Sequence, residues 1–207
     1  MKKILILAAA AAVLCSCGSK NKYTVEGTVA GANGMVYLFD EEEVILDSAV
    51  VKEGKFRLSG VAETPAVAIL RDARDQGATF ATMLILEPGR ITVSDDAENA
   101  YRKHVTGTPA NDASDAYATT SHALVDEFRN EATDDERRDA IEKEYDQLTR
   151  TTMEQNRTNL FGALLLAQQL GYELSGQELL DEIALFPEEM QQSSVLKALK
   201  ESAGQKI

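Results

Sequence analysis

The first half of the chain alternates apolar and polar residues with a period of two, the pattern of strands that bury one face. The alternating or uniformly apolar segments are 23–29, 35–39, 44–51, 55–59, 65–70, 83–86 and 90–94. Turn residues separate them: Asn33-Gly34 predicts a hairpin, and Gly54 and Gly89 are predicted to take positive φ values. Seven or eight short strands with frequent turns favour an antiparallel β-sandwich-like module over residues 23–108.

After this module, apolar residues recur at helical spacing. Thr108 is predicted to cap a first helix that begins at Pro109, and capping boxes are predicted at Thr133 and Ser175. A segment over 160–170 is apolar around more than half of its helical circumference. The predicted fold class is therefore α+β, a β-sandwich-like module followed by a small helical region over residues 109–207.

The N-terminal segment reads as a targeting signal. Lys2 and Lys3 precede eleven apolar residues, 4–14, a run too short to span a bilayer but typical of a secretory signal peptide. Leu14-Cys15-Ser16-Cys17 resembles the lipobox of bacterial lipoproteins. The alternative is that both cysteines are merely small apolar residues within the signal peptide.

The lipobox resemblance implies cleavage after Ser16 and acylation of Cys17 by fatty acids such as palmitate. Residues 1–16 are then a cleaved signal peptide, and residues 17–22 are a lipidated N-terminus with a short tether. The expected location is the cell envelope, anchored by lipid to a membrane and facing the periplasm. Because both cysteines are accounted for, the mature chain is expected to have neither a disulfide nor a catalytic thiol.

The charge balance narrows the range of partners. Removing the predicted signal peptide leaves 19 basic and 34 acidic residues, and residues 110–207 carry a net charge of −11. Phosphate groups repel such a surface, so nucleic acid is excluded as a main partner. The membrane, reached through the lipid anchor, is the expected contact.

Residues that could perform catalysis or bind metal are sparse. His104 and His122 show no metal-ligand spacing and are predicted to be structural, and no catalytic, cofactor-binding or metal-binding residue is predicted. The acidic run 40–43 could gather a cation but is more typical of a solvated hairpin tip. The same two interpretations apply to the carboxylates of Asp72, Asp75, Asp95 and Asp96.

Three motifs carry a family resemblance. Residues 47–56 (DSAVVKEGKF), 86–91 (LEPGRI) and 105–112 (VTGTPAND) occur in the order found in the domain of unknown function 4369 family. In that family, this module forms the N-terminal part of thioredoxin-like lipoproteins of Bacteroidota. The resemblance implies that the helical region corresponds to the spacer before a thioredoxin domain. No W-C-x-x-C motif occurs here, so thioredoxin activity is not carried over.

The apolar segment around Phe161 and Leu165 has two interpretations. One is burial between the sandwich and the neighbouring helices. The other is a docking face for a protein partner or for a second copy of the chain. The leading functional hypothesis is a non-enzymatic binding or scaffolding module. The alternatives are an envelope enzyme that uses surface carboxylates, and a remnant or partner of a thioredoxin-like reductase.

Overall fold

The computed structural model describes residues 21–29, 34–74, 77–97, 99 and 102–206. Within them the chain forms eight strands and then six helices, which confirms the predicted α+β class. The strands are β1 (Lys22–Thr28), β2 (Gly34–Phe39), β3 (Ile45–Val51), β4 (Lys55–Val61), β5 (Ala66–Arg71), β6 (Ala81–Leu86), β7 (Gly89–Asp95) and β8 (Lys103–Thr106). The helices are α1 (Pro109–Arg129), α2 (Asp135–Gln155), α3 (Leu160–Leu165), α4 (Gly176–Ala184), α5 (Glu188–Gln191) and α6 (Ser194–Gln205).

The strands form two four-stranded sheets. The first sheet has the order β4-β1-β7-β8 and the second has the order β3-β2-β5-β6. The neighbouring strands are antiparallel except for β1 and β7, which run parallel. The fully antiparallel arrangement expected from the sequence is therefore wrong for this pair. The turn between β6 and β7 takes the chain from the second sheet to the first. There β7 lies beside β1 and runs in the same direction.

The two sheets enclose the first hydrophobic core. Its most deeply buried members alternate along the strands with polar or exposed residues, as the period of two predicts. They include Val25, Val36, Leu38, Leu58, Leu70, Leu84, Ile91 and Val93. Burial of aliphatic side chains from both sheets is the main stabilisation of such a sandwich.

The helices build a second core on the outer face of the second sheet. Val67 of β5 and Ile85 of β6 are buried there and pack against the helical residues. The largest buried helical side chains in this cluster are Met153, Leu160, Phe161, Leu166, Leu179, Ile183 and Leu196. None of the helices in the described segments is long and apolar enough to cross a membrane.

Most of the predicted turns and caps are present, but the hairpin predicted at Asn33-Gly34 is wrong, because β1 and β2 lie in different sheets. Gly54 and Gly89 have φ values of 74° and 139°, which confirms their predicted conformation. The capping box at Ser175 is present, and Ser193 Oγ accepts a hydrogen bond from Leu196 N–H at the start of α6. The cap predicted at Thr133 is wrong by one residue. Asp134 is the N-cap of α2, because its carboxylate accepts a hydrogen bond from Arg137 N–H at 2.8 Å.

The helix predicted over 160–170 changes geometry partway along its length. Leu160–Leu165 are α-helical, and Leu166–Leu170 form a π-helical turn closed by the hydrogen bond from Gly171 N–H to the Leu166 carbonyl at 2.7 Å. The Asn159 side chain caps the start of α3 by accepting hydrogen bonds from Phe161 and Gly162 N–H groups.

Candidate functional site

The start of α1 is fixed to the turn between β6 and β7. Glu87 in that turn is buried, and its Oε1 accepts a hydrogen bond from Ala110 N–H at 2.8 Å. Ala110 lies in the first helical turn, where backbone N–H groups have no partner within the helix. The carboxylate also lies at the positive end of the helix dipole. Glu87 thus joins the sandwich to α1.

Asn111 makes a second connection between the sandwich and α1. We refer to the contacts of Glu87, Asn111 and Asp112 at this place as the joint. It is 1% exposed, and its Oδ1 accepts a hydrogen bond from Ile85 N–H at 2.9 Å. Its Nδ2 donates to the Ile85 carbonyl at 2.7 Å and to Thr108 Oγ1 at 2.8 Å. The amide therefore replaces a neighbouring strand at the edge of β6. Asp112 completes the joint by accepting a hydrogen bond from Gly107 N–H at 2.7 Å.

A charged network lies one helical turn beyond this joint. Asp115 Oδ2 lies 3.0 Å from His104 Nδ1, and Asp115 Oδ1 lies 3.3 Å from an Arg102 guanidinium nitrogen. On the other side, Asp96 Oδ2 lies 3.5 Å from both His104 Nε2 and Arg102 Nη1. Arg102 also donates to Thr119 Oγ1 at 2.5 Å. These charged groups face one another, so the network links β8 to α1.

The sequence pattern did not reveal the carboxylate partners of His104. His104 lies within β8, and its carboxylate partners are eight and eleven residues away in the chain. One signal could have placed Asp115 near the joint: Asn111 and Asp115 have the i, i+4 spacing that puts both on one face of α1. Within the described ranges, no group of three or more His, Cys, Asp or Glu side chains is arranged to hold a metal ion.

The other carboxylates considered as cation ligands have structural roles where they are described. Asp40 accepts hydrogen bonds from the N–H groups of Glu42 and Val44, which supports the hairpin-tip interpretation. Burial alone would raise the pKa of Asp72, but hydrogen bonds donated by Thr79 and by the Phe80 N–H hold it below its usual value. Asp95 forms an ion pair with Lys103 at 2.9 Å. Asp75 lies outside the described residues.

A cleft with a volume of about 570 Å³ lies between the two parts of the chain. One wall is the β4–β5 connection, residues 63–66, and the other is formed by residues 187–194 of the helical region. The apolar floor contains Leu160 and Met190, which are buried. Hydroxyl and amide groups line the rim, from Thr64, Thr158, Gln192, Ser193 and Ser194.

The charge of this cleft limits what it can bind. Its described lining includes the carboxylates of Glu63 and Glu189 and contains neither lysine nor arginine. It also contains no aromatic ring on which a sugar could stack. An apolar floor with a hydrogen-bonding rim is typical of binding sites, and these charges favour an uncharged or cationic group over an anion.

A shallower groove of about 340 Å³ lies between α1 and α2. Val125, Phe128, Ile141 and Tyr145 provide apolar contacts along it, with two acidic residues at its edge. Only the helical hairpin forms this groove, whereas both parts of the chain form the cleft.

The docking hypothesis for Phe161 and Leu165 is wrong. These side chains are only 5% and 4% exposed, and both belong to the core beneath the helices. The helix α3 is apolar around most of its circumference because the second sheet and the other helices surround it. The alternative interpretation, burial between the sandwich and the neighbouring helices, is therefore the correct one. Cys17, the predicted lipidation site, lies outside the described residues.

Aromatic contacts hold Phe161 in this core. Its ring lies 5.8 Å from the Tyr117 ring of α1, which lies 6.4 Å from the Tyr145 ring of α2. The Tyr117 hydroxyl and Thr149 Oγ1 share a hydrogen bond of 2.9 Å. Burial raises the pKa of the Tyr117 phenol to about 12, although the bond with Thr149 opposes this shift. Tyr117 therefore stays neutral at physiological pH.

Comparison with known proteins agrees with the three motifs. No curated protein matches the chain. Residues 23–114 match the family model described as "Domain of unknown function (DUF4369)". The matched segment covers the eight described strands except Lys22, and it continues into α1 past Asn111 and Asp112 of the joint to residue 114. The N-terminal part of the chain, residues 23–114, thus belongs to the DUF4369 family of domains of unknown function.

Proposed function

We propose that the chain is an exported lipoprotein that acts as a non-enzymatic binding or scaffolding module in the cell envelope. The proposed binding site is the cleft between residues 63–66 and 187–194, and its occupant is an uncharged or basic segment of a protein partner. The observation that carries this proposal is the cleft's construction from both parts of the chain, with an apolar floor and a polar rim.

The charged network supports a structural rather than a catalytic use of His104. Both ring nitrogens of His104 face carboxylates, at 3.0 Å and 3.5 Å, and Arg102 contacts the same two acids. A general base must reach a substrate proton. Here the imidazole instead connects two segments of the protein.

The position of the cleft agrees with a membrane anchor at Cys17. Asn21 Nδ2 donates a hydrogen bond to Glu63 at 2.6 Å, and Glu63 lines the cleft. Only three residues lie between Cys17 and Asn21, so the two are at most about 14 Å apart along an extended chain. An acylated Cys17 would hold the cleft close to the membrane surface, where envelope partners are accessible.

The binding site can be tested by blocking the cleft. Thr64 and Thr158 are exposed at its rim, so Thr64→Trp or Thr158→Trp is expected to fill the opening without disturbing the core. We expect wild-type protein, crosslinked and then purified from detergent-solubilised membranes, to carry a partner protein. The amount of this partner should fall at least about tenfold in both variants, which corresponds to a loss of about 1.4 kcal/mol of binding free energy.

Thr151→Trp provides the matched control, because Thr151 is an exposed threonine of α2 that does not line the cleft. This variant should keep the partner at the wild-type level. Equal recovery from all three variants would contradict the cleft assignment. If the wild-type protein hydrolyses a cell-envelope substrate and Glu63→Gln or Glu189→Gln abolishes this hydrolysis, the enzyme hypothesis replaces the proposal.

The anchor is tested separately by Cys17→Ala. Without its thiol the chain has no site for acylation, so we expect the protein to leave the membrane fraction or to remain unprocessed. Cys15→Ala is the matched control, because Cys15 belongs to the predicted signal peptide and should not affect anchoring. A mass spectrum that shows an unmodified mature N-terminus in the wild type would reject the lipoprotein proposal.

A further inference from the structure

The outer face of the first sheet carries charge of the opposite sign to the chain as a whole. Side chains of β1, β4 and β7 alternate between the first core and this face. Those in the core are Tyr23, Val25, Phe56, Leu58, Ile91 and Val93. The charged side chains between them, which point outward, are one carboxylate, Glu26, and four cations, Lys22, Lys55, Arg57 and Arg90. This excess of cations is local to the face, since the full chain has a net charge of −13.

The register of the sheet places one cation at each of four successive outward positions along β1, residues 22, 24, 26 and 28. Lys22 occupies the first position, and Arg90 of β7 pairs with the second. Arg57 and Lys55 of β4 pair with the third and the fourth. Outward residues two apart in a strand are separated by about 7 Å, so the four positions span about 20 Å. We refer to the surface formed by these four cations as the cationic face.

The cations of this face are accessible to a ligand. Lys22, Lys55 and Arg57 are exposed, and among the described residues none of the three forms an ion pair with a carboxylate. The side chain of Arg90 is 72% exposed, although it lies 3.4 Å from a carboxylate oxygen of Glu26. An anion could therefore reach each of the four cations without breaking a buried contact.

Hydroxyl groups occupy most of the remaining outward positions. They belong to Thr24, Thr28, Ser59, Thr92 and Ser94. A shallow recess of about 320 Å³ lies on this face, and its lining comes from all three strands and includes Lys55 and Arg57. The face thus offers hydrogen-bond donors and acceptors beside its positive charges.

The shape and chemistry of the cationic face favour a long anion that carries hydroxyl groups. A single phosphate or carboxylate could not contact all four cations, because the first and the last lie about 20 Å apart. Among the outward residues of these three described strands, Val61 is the one apolar side chain and none is aromatic. The face therefore lacks the apolar anchors of protein interfaces and of peripheral membrane proteins, and the rings on which nucleic acid bases stack.

We propose that the cationic face binds an anionic polysaccharide that lies extended along β1. Anionic groups of successive sugars pair with the four cations, and the sugar hydroxyls exchange hydrogen bonds with the threonine and serine side chains. Glu26 lowers the affinity, because its carboxylate repels the ligand and pairs with Arg90. The inference goes beyond the proposed function and does not depend on the cleft, whose lining is acidic and whose proposed occupant is a protein segment.

Titration calorimetry with alginate tests the proposal, because alginate is a linear polysaccharide with a carboxylate on each sugar. We expect the full chain to bind alginate at low ionic strength, and added salt should weaken this binding by screening the charges. The double variant Lys55→Gln/Arg57→Gln should raise the Kd at least about tenfold, since two of the four cations that displace counterions from the polyanion are lost. Glu26→Gln should lower the Kd several-fold. A two-sugar fragment of alginate, too short to reach all four cations, should bind much more weakly than the polymer.

Lys143→Gln/Arg150→Gln is the matched control. Both residues are exposed on α2, and this double variant has the same net charge as the first one. It should bind alginate with the affinity of the wild type. Circular dichroism melts verify that each variant is folded.

The results that would overturn the proposal are distinct from those that test the cleft. Absence of alginate binding at low ionic strength would reject the site. An equal loss of affinity in the two double variants would show that net charge alone determines the binding. Equal affinity for polyglutamate, which has carboxylates but no sugar hydroxyls, would assign the face to an acidic protein segment instead. None of these results depends on the partner protein that the Thr64→Trp variant measures.

Discussion

Phe161→Asp is expected to destabilise the protein by about 4 kcal/mol or more and to lower its thermal unfolding midpoint accordingly. Phe161 packs against the Tyr117 ring and is 5% exposed, so the aspartate would place a charge without a partner inside the core. The substitution also removes the volume of an aromatic ring. Circular dichroism melts of the full chain would measure the change.

Leu185→Asp is the matched control for this prediction. Leu185 is an apolar residue of the same helical region but is 57% exposed, so its replacement should leave the unfolding midpoint nearly unchanged. Sedimentation of each variant separates folding from association. A stable Phe161→Asp protein that loses self-association would instead support the docking face that the structure rejects.

Asn111→Leu is expected to lower the free energy of unfolding by about 2–6 kcal/mol. Leucine has the same branched skeleton of side-chain heavy atoms but no polar atom. It therefore leaves both the N–H and the carbonyl of Ile85 without a partner in a buried position, and each unsatisfied group costs about 1–3 kcal/mol. Chemical denaturation of the wild type and the variant would measure the difference. Amide hydrogen exchange at Ile85 should accelerate in the variant.

Asn130→Leu serves as the control for the second prediction. Asn130 is exposed, and its side chain accepts one hydrogen bond from Ala132 N–H in the turn after α1. Water can replace that bond, so the expected loss is below about 1 kcal/mol. If both substitutions lower the free energy of unfolding by the same amount, the hydrogen bonds between Asn111 and the Ile85 backbone do not make the expected contribution to stability.

The fold could be predicted from the sequence wherever local signals decide the structure. The period of two located the strands, Pro109 marked the start of α1, and Ser175 and Glu178 formed the expected capping box. The parallel pairing of β1 with β7 could not be predicted in this way. Periodicity identifies the buried face of a strand, but it does not state which strands become neighbours.

The difference between local patterns and contacts of distant segments also explains what the sequence did not reveal about individual residues. The apolar residues on most sides of the helix at Phe161 correctly indicated an unusual helix. The surfaces that bury this helix, however, come from segments distant in the chain. The partners of His104 are distant as well, since Asp115 lies in α1 and Asp96 follows β7. The family motifs carried this information indirectly, because Glu87, Asn111 and Asp112 prove to be the residues of the joint.

The Asn111 amide has a consequence for where the N-terminal folding unit ends. The last strand ends at Thr106, yet the backbone of β6 is completed by a side chain that belongs to α1. A fragment truncated at Thr108 would retain every described strand but would expose an unpaired sheet edge, a template for aggregation. We therefore expect the smallest fragment that folds on its own to include the opening turn of the helix, so that the division between the two halves passes through α1 rather than before it.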